Sequence, residues 1–352
     1  VNTHDFSTRG GSWLRQVAEH QDVVLSSRVR LARNVSGYLF PNRISPESKE
    51  ELERVMRESI EQVDLGEKLR YVNLTELDPI LRQMLCERYL ISRELAQATG
   101  DRGVAFSLSE RTSLMIHEED HLRIQVLRAG CAMEEALEAA IQIDRKLEVV
   151  LPYAYSESFG YLTSCPTNTG TGLRMSVMMH VPGITMTEQI DTVTRSASKV
   201  GLTVRGFSGE GTGALGDLIQ ISNQQTLGRD EDSILRTVQR LVLKIMEFER
   251  GVRDKMMATG RLGLEDRIWR ALGTLRYARL LSSEEALKHL SAIRMGCALK
   301  LLPEIALADM NELIITTQPG HLQVLKSRAL GAEERDQVRA QILRDRLQKS
   351  AP

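Results

Sequence analysis

The hydrophobic period changes along this chain, and that change limits its fold more than any other feature. Strand-like runs occur at 23–33, 113–116, 122–127 and 173–181, and two more flank a glycine-rich loop between 201 and 222. Helical spacing fills 46–63, 79–99, 131–147 and 185–200, the second stretch stopping at Gly100. From about 230 the spacing is helical, opening with Asp230, Glu231 and Asp232, whose carboxylates suit the positive end of a helix dipole. The pattern predicts a polar lead-in over 1–22, a mixed α/β domain over 23–258 and a helical domain over 259–352.

Composition supports a folded chain. Of 352 residues, 42% are hydrophobic, enough for a core, but only 4% are aromatic, so packing leans on Leu, Ile, Val and Met. With 46 basic and 47 acidic residues the net charge is -1, which argues against direct nucleic-acid binding. No apolar run reaches the roughly 18–20 residues of a membrane span, and no signal peptide is visible at the start. Cys86, Cys131, Cys165 and Cys297 are scattered without a CxxC pair, which predicts neither zinc nor disulfides and fits a reducing, cytoplasmic setting.

Four segments carry chemistry. Arg28 and Arg30 fall at alternate positions of the first strand, hence on one face. Two planar guanidiniums there make a polyphosphate clamp, although with Arg33 they equally suit a solvated strand with salt bridges. Between two strands lies His117-Glu118-Glu119-Asp120-His121, followed by Arg123. Clustered acids there can hold a cation, bind a metal or act as a base, or can form an ordinary solvated turn. Ser164 to Arg174 places Cys165 among hydroxyls and glycines, where a thiol can be activated or can be a small buried hydrophobe. Arg205 to Gly213 is a glycine-rich loop with Glu210 near its tip, fit to close over a substrate or to be a plain hairpin connection. Taken together, arginines recur on several strands and isolated acids on two loops, which predicts one cleft with an anion half and a cation half.

The stretches SSRVRLAR, HEEDHLRIQ, SCPTNTGTGLRMS, RGFSGEGTG and ISNQQTLG, in that order over about 20–255, resemble the ATP:guanido phosphotransferases, the family of creatine and arginine kinases. The chain is most similar to their bacterial protein-arginine kinase branch: there is no room before Arg28 for the small helical N-terminal domain of phosphagen kinases, and about 95 residues remain for a helical C-terminal domain. That domain contains Arg335-Asp336-Gln337-Val338-Arg339-Ala340, similar to the family's RDxxRA motif; read without the resemblance, it is a charged helix face. His117 stands where the family usually has Asn.

The resemblance implies an α+β fold: an antiparallel-sheet phosphagen-kinase-like catalytic domain flanked by helices, plus an all-helical C-terminal domain. It implies that Arg28, Arg30, Arg123, Arg174 and Arg205 bind the phosphates of ATP, that Mg²⁺ is held by phosphates and water rather than by a protein metal site, and that Glu119 and Glu210 grip a guanidinium with Cys165 beside it. Arg335, Asp336 and Arg339 would bind phosphoarginine as an allosteric ligand. Implied partners are proteins with exposed arginine, an activator protein, a Clp-type protease chaperone and a second copy of the chain, with phosphorylation marking proteins for proteolysis or inactivating a repressor. Two other readings stay open: a kinase of a free guanidino metabolite such as arginine, and a non-catalytic phosphoarginine-binding adaptor.

Overall fold

The computed structural model describes residues 10–206 and 214–348. Ten strands form among the described residues: β1 (Val24–Arg33), β2 (Leu69–Asn73), β3 (Gly103–Ser107), β4 (Thr112–Ile116), β5 (Leu122–Ala129), β6 (Tyr155–Ser156), β7 (Gly160–Tyr161), β8 (Leu173–His180), β9 (Leu202–Gly206) and β10 (Leu218–Asn223). Eight of them make one antiparallel sheet in the order β2-β3-β4-β5-β1-β8-β10-β9, while β6 and β7 pair as a small ribbon.

The first seven helices are α1 (Ser12–Arg15), α2 (Pro46–Gln62), α3 (Pro79–Glu87), α4 (Arg93–Gln97), α5 (Met133–Glu148), α6 (Pro182–Met186) and α7 (Ile190–Ser198). Five more follow the sheet: α8 (Glu231–Tyr277), α9 (Ser283–Ala298), α10 (Leu307–Thr316), α11 (Pro319–Leu325) and α12 (Ala332–Gln348). Several start where a side chain accepts an otherwise unsatisfied backbone N–H: Ser45 from Ser48, Asp78 from Ile80, Ser92 from Leu95, Asp230 from Ser233 and Ser282 from Glu285. Each such cap contributes about 1 kcal/mol. No helix among the described residues is long and apolar enough to cross a membrane.

The two faces of the sheet do different work. On the back face Val29, Leu31, Ile124, Val126, Met175 and Val177 are all buried and pack with α5 and the first half of α8 in one core. Burial of each such side chain contributes roughly 1.5–3 kcal/mol. Among the described residues the front face is covered in two places. α3 and α4 close over the β2–β4 wing through Met84, Leu85 and Leu95 against Val104, Phe106 and Met115. The C-terminal helices close over the other end through Leu25, Leu127, Met178 and Leu218, packed with Leu287 and Leu290. An uncovered strip remains between the two.

The predicted mixed α/β region followed by helices is observed, with differences of physical origin. The helix expected over 79–99 is two, α3 and α4, because Tyr89 adopts a left-handed φ of 61° and Arg88 turns inward to Glu110. Strands β2 and β3 were not anticipated: β2 is an edge strand with one buried residue, so its sequence carries no clear alternation. The lead-in is not a free tail, since Trp13 and Leu14 of α1 are each 3% exposed and pack with the C-terminal helices. The position taken as a domain boundary, 258, lies inside one helix: α8 runs 47 residues and bends at Gly260 (φ -147°, ψ 32°).

Candidate active site

Register alone gathers the arginines. Residues directly opposite across paired strands share a face, and faces alternate along a strand. Arg30 stands opposite Arg174 on β8 and Gln125 on β5, Arg28 opposite Ser176, and Ala32 opposite Arg123. Met178 is opposite both Ser26 and Gln220, and Gln220 is opposite Arg205. All five arginines therefore project from the uncovered front face. Arg33, one register position out of phase, projects to the back and is held there by Asp144, at 3.0 Å and 2.6 Å, and by Tyr161, whose ring centroid is 3.5 Å away.

The strip holds two connected cavities. One, of about 560 Å³, is lined by Arg30, Arg123, Arg174 and Arg205 together with Glu118 and Glu119. The other, of about 1320 Å³, takes in Arg28, Arg30 and Arg205 and extends beneath α3 and α4 to Gln318 and Pro319. Burial first, and then the positive charges of Arg174 and Arg123, bring the Arg28 guanidinium down to about 10, against the partial support of Tyr89. Burial, with Arg28, Arg123 and Arg174 close by, holds Arg30 well below its ordinary value. Arginines keep their protons in proteins, so these shifts register first the cost of burying the charges and then that of crowding them, both of which an anion relieves. The Arg30 Nε is buried without a hydrogen-bond partner among the described residues. Planar guanidiniums gathered on one face suit a polyanion, whose oxygens accept paired N–H donors.

The acidic turn is built to hold its shape. His117 has φ 57°, a left-handed value that Asn and His tolerate better than most residues. Its Nε2 lies 2.9 Å from the Lys49 carbonyl, and burial pushes the imidazole down to about 3, so it is neutral and donates that bond. Asp120, fully buried, accepts from Asn34 at 2.7 Å and from the Ser164 N–H at 2.6 Å, tying the turn to the following loop. Glu118, a residue the sequence reading passed over, is 2% exposed and pairs with Arg123 at 2.6 Å. Glu119 is half exposed, accepts from Arg123 at 2.8 Å and from Asn168 at 3.2 Å, and reaches the cavity. The signal for Glu118 was present in the sequence, as an acid five residues before an arginine on the next strand.

Cys165 lies in the loop that supplies Asn168, with its Sγ 3.0 Å from Thr167 Oγ1, and does not line either cavity. Glu210 lies outside the described residues. The three residues of the RDxxRA segment sit on α12 and line neither cavity. Arg339 is 1% exposed: it donates to the carbonyls of Thr317 and Leu281, to Ser283 and to Asp336. Its guanidinium thus fastens helices together, whereas the Asp336 side chain is 31% exposed and Arg335 is half-buried with one bond to the Leu330 carbonyl. Among the described residues no group of three His, Cys, Asp or Glu side chains converges as a metal site would.

Comparison with known proteins yields two family models that match in tandem: ATP:guanido phosphotransferase, C-terminal catalytic domain, over residues 51–252, and protein-arginine kinase McsB C-terminal domain, over 261–352. Arg28 and Arg30 precede the first match and join the site through strand register. A protein-arginine kinase of Halalkalibacterium halodurans is 43% identical over 336 residues, covering 95% of this chain and 94% of the relative. One of Geobacillus stearothermophilus is 41% identical over 344 residues, covering 97% and 95%. Among solved structures, the duplicated taurocyamine kinase of Schistosoma mansoni superposes with a TM-score of 0.61 at 26% identity, over 71% of this chain and 36% of that one. Lombricine kinase shares the fold with a TM-score of 0.56 at 24% identity, over 71% of each chain.

Proposed function

We propose that this chain, which belongs to the ATP:guanido phosphotransferase family, transfers the γ-phosphoryl group of ATP to the guanidinium of arginine residues in proteins. The observation that carries the reading is a single cavity in which Arg30, Arg123, Arg174 and Arg205 face Glu118 and Glu119. The groups for an anion site and for a cation site thus border one space. The relatives named protein-arginine kinase over nearly the whole length support a protein acceptor.

In this reading the five arginines bind the phosphates and spread the negative charge of the transition state, which is most of what phosphoryl transfer asks of a protein. Mg²⁺ keeps most of its hydration, so it would sit on the phosphates and water and add positive charge there. Glu119, with Glu210 from the glycine-rich loop, would orient the acceptor guanidinium; the Asn168 amide now bonded to Glu119 marks where such a donor fits. One guanidinium nitrogen forms the N–P bond as the bond from the γ-phosphorus to the bridging oxygen breaks toward ADP. The proton released from that nitrogen passes to a carboxylate. Cys165 would tune this region from its loop, without a covalent cysteinyl phosphate.

Arg335 and Asp336 would bind phosphoarginine, phosphate to the arginine and guanidinium to the acid, with Arg339 holding the segment. Residues 23–258 and 259–352 would act as catalytic and regulatory units after the lead-in. Exposed Leu262, Trp269 and Tyr277 on α8 support a homodimer through the helical region. The activator, the Clp-type protease chaperone and a cytoplasmic setting belong to the same proposal, the last on four free cysteines.

The test is mass spectrometry under conditions that preserve acid-labile N–P bonds, after incubation with Mg-ATP, a casein-like protein and free arginine. Phosphate on protein arginine is the expected result. Phosphate on the free amino acid alone would replace this reading with a metabolite kinase, and transfer to neither would favour a binding adaptor.

A further inference from the structure

Arg30 and Arg205 line both cavities, so the triphosphate bridges them. The acids that would meet the acceptor, Glu118 and Glu119, line only the smaller cavity. The γ-phosphate must point toward those acids, which leaves the nucleoside end directed into the larger cavity. Its far wall is made by Gln318 and Pro319, and these belong to the C-terminal helical region rather than to the sheet domain.

That wall is clamped from both sides. Glu87 of α3 accepts from the backbone N–H of Gly320 at 2.7 Å and of His321 at 3.1 Å, and lies 2.9 Å from His321 Nδ1. A Cβ at position 320 would come within 2.8 Å of the Met84 backbone nitrogen, so only glycine permits this approach. On the other side Arg339 Nε donates to the Thr317 carbonyl at 3.0 Å. The Gln318 side chain donates through Nε2 to the Ile314 carbonyl at 2.9 Å, which fixes its amide and leaves Oε1 as an acceptor.

We infer that the C-terminal helical region completes the nucleotide site, with Gln318 and Pro319 as the wall against which the base rests and Gln318 Oε1 as a specificity-determining acceptor for an exocyclic amino group such as that of adenine. This rests on the kinase reading above and adds to it a contribution from outside the sheet domain. It also places the Arg339 clamp one residue from the nucleotide wall, so the helical region would bear on ATP affinity directly.

Photolabelling of the full chain with 8-azido-ATP, followed by tryptic mapping, reads this out. Cleavage at Lys300 and Lys326 releases residues 301–326 as one peptide containing the wall. ATP-protectable label on that peptide is the expected result. Protectable label confined to residues before 261 would overturn the inference while leaving the kinase reading intact, and no protectable label anywhere would remove both. In parallel, Gln318→Ala should raise KM for ATP roughly three- to tenfold, the loss of one hydrogen bond, and narrow the preference for ATP over GTP by a similar factor. A merely structural role would weaken both nucleotides equally, so an unchanged ATP-to-GTP ratio would sink the specificity claim. If Gln318→Ala does not fold, Pro319→Ala and the photolabel decide.

Discussion

Arg33 and Arg30 stand three residues apart on β1, on opposite faces of the sheet. Arg33 is 2% exposed and has a bidentate Asp144, two carbonyls and an aromatic ring for company. Arg88, Arg253 and Arg339, also buried, each have a carboxylate of their own. Arg28 and Arg30 have no carboxylate within ion-pair distance among the described residues; Arg28 bonds Ser176 and Gln220, and Arg30 has the other front-face arginines as neighbours. In these four arginines the buried charge is neutralised by a carboxylate inside the protein. On the front face the charge is left crowded, as the proposed phosphate site requires, and the back-face core and the two front-face lids hold the strands in place against the repulsion.

Four substitutions would break or sharpen this contrast. The largest effect expected is Arg30→Ala, which should lower kcat/KM on the order of 10³-fold while thermal stability stays level or rises, since a like charge has been removed. A large loss of stability in that variant would place Arg30 with the structural arginines. Asp144→Ala should do the reverse, costing about 3–5 kcal/mol in urea unfolding because Arg33 is left buried and unpaired, with turnover per folded molecule nearly intact. Arg123→Ala falls between the classes: it should weaken ATP binding measured by calorimetry and also cost roughly 2–4 kcal/mol, because Glu118 loses its partner. Unchanged nucleotide affinity would contradict its place in the anion site. Smallest in basal activity is Asp336→Ala, which should leave turnover as it is and abolish the response to added phosphoarginine; equal phosphoarginine binding in that variant would put the second site elsewhere.

The acidic turn adds a dependence on pH. His117 is pushed down to about 3 chiefly by burial, with Lys49 and His121 adding to the effect and the Lys49 carbonyl opposing it. The unfolded chain therefore binds a proton below about 6.5 that the folded chain refuses down to about 3, so stability is full above 6.5 and falls as pH drops through that window. The slope is on the order of 1 kcal/mol per pH unit. His117→Asn, which keeps a residue that accepts positive φ, should flatten it in acid unfolding curves. A slope unaltered by the substitution would assign the acid sensitivity to the other buried histidines.

Much of the site was legible in the sequence because its logic is local. Arg28 and Arg30 share a face by alternation alone, and the acids sit on a turn that the β-type runs on either side announce. Glu118 was missed because consecutive acids look alike in sequence: both pair with Arg123 and line the cavity, and only the fold decides which is buried and which exposed. Arg339 read as a charged helix face and proved buried, since which side of α12 is covered depends on helices more than 50 residues away.

The sequence by itself determined the alternation of sheet and helix, the residue types of the anion and cation halves, and the family to which the chain belongs. Only the tertiary structure decided that Arg205 on the outermost strand shares a face with Arg123 four strands away, and that Gln318 lines the larger of the two cavities that Arg205 borders. Periodicity is a property of neighbouring residues and is written in the chain. Strand order, register and the docking of distant helices are set by which apolar faces find each other, and no local pattern records that choice.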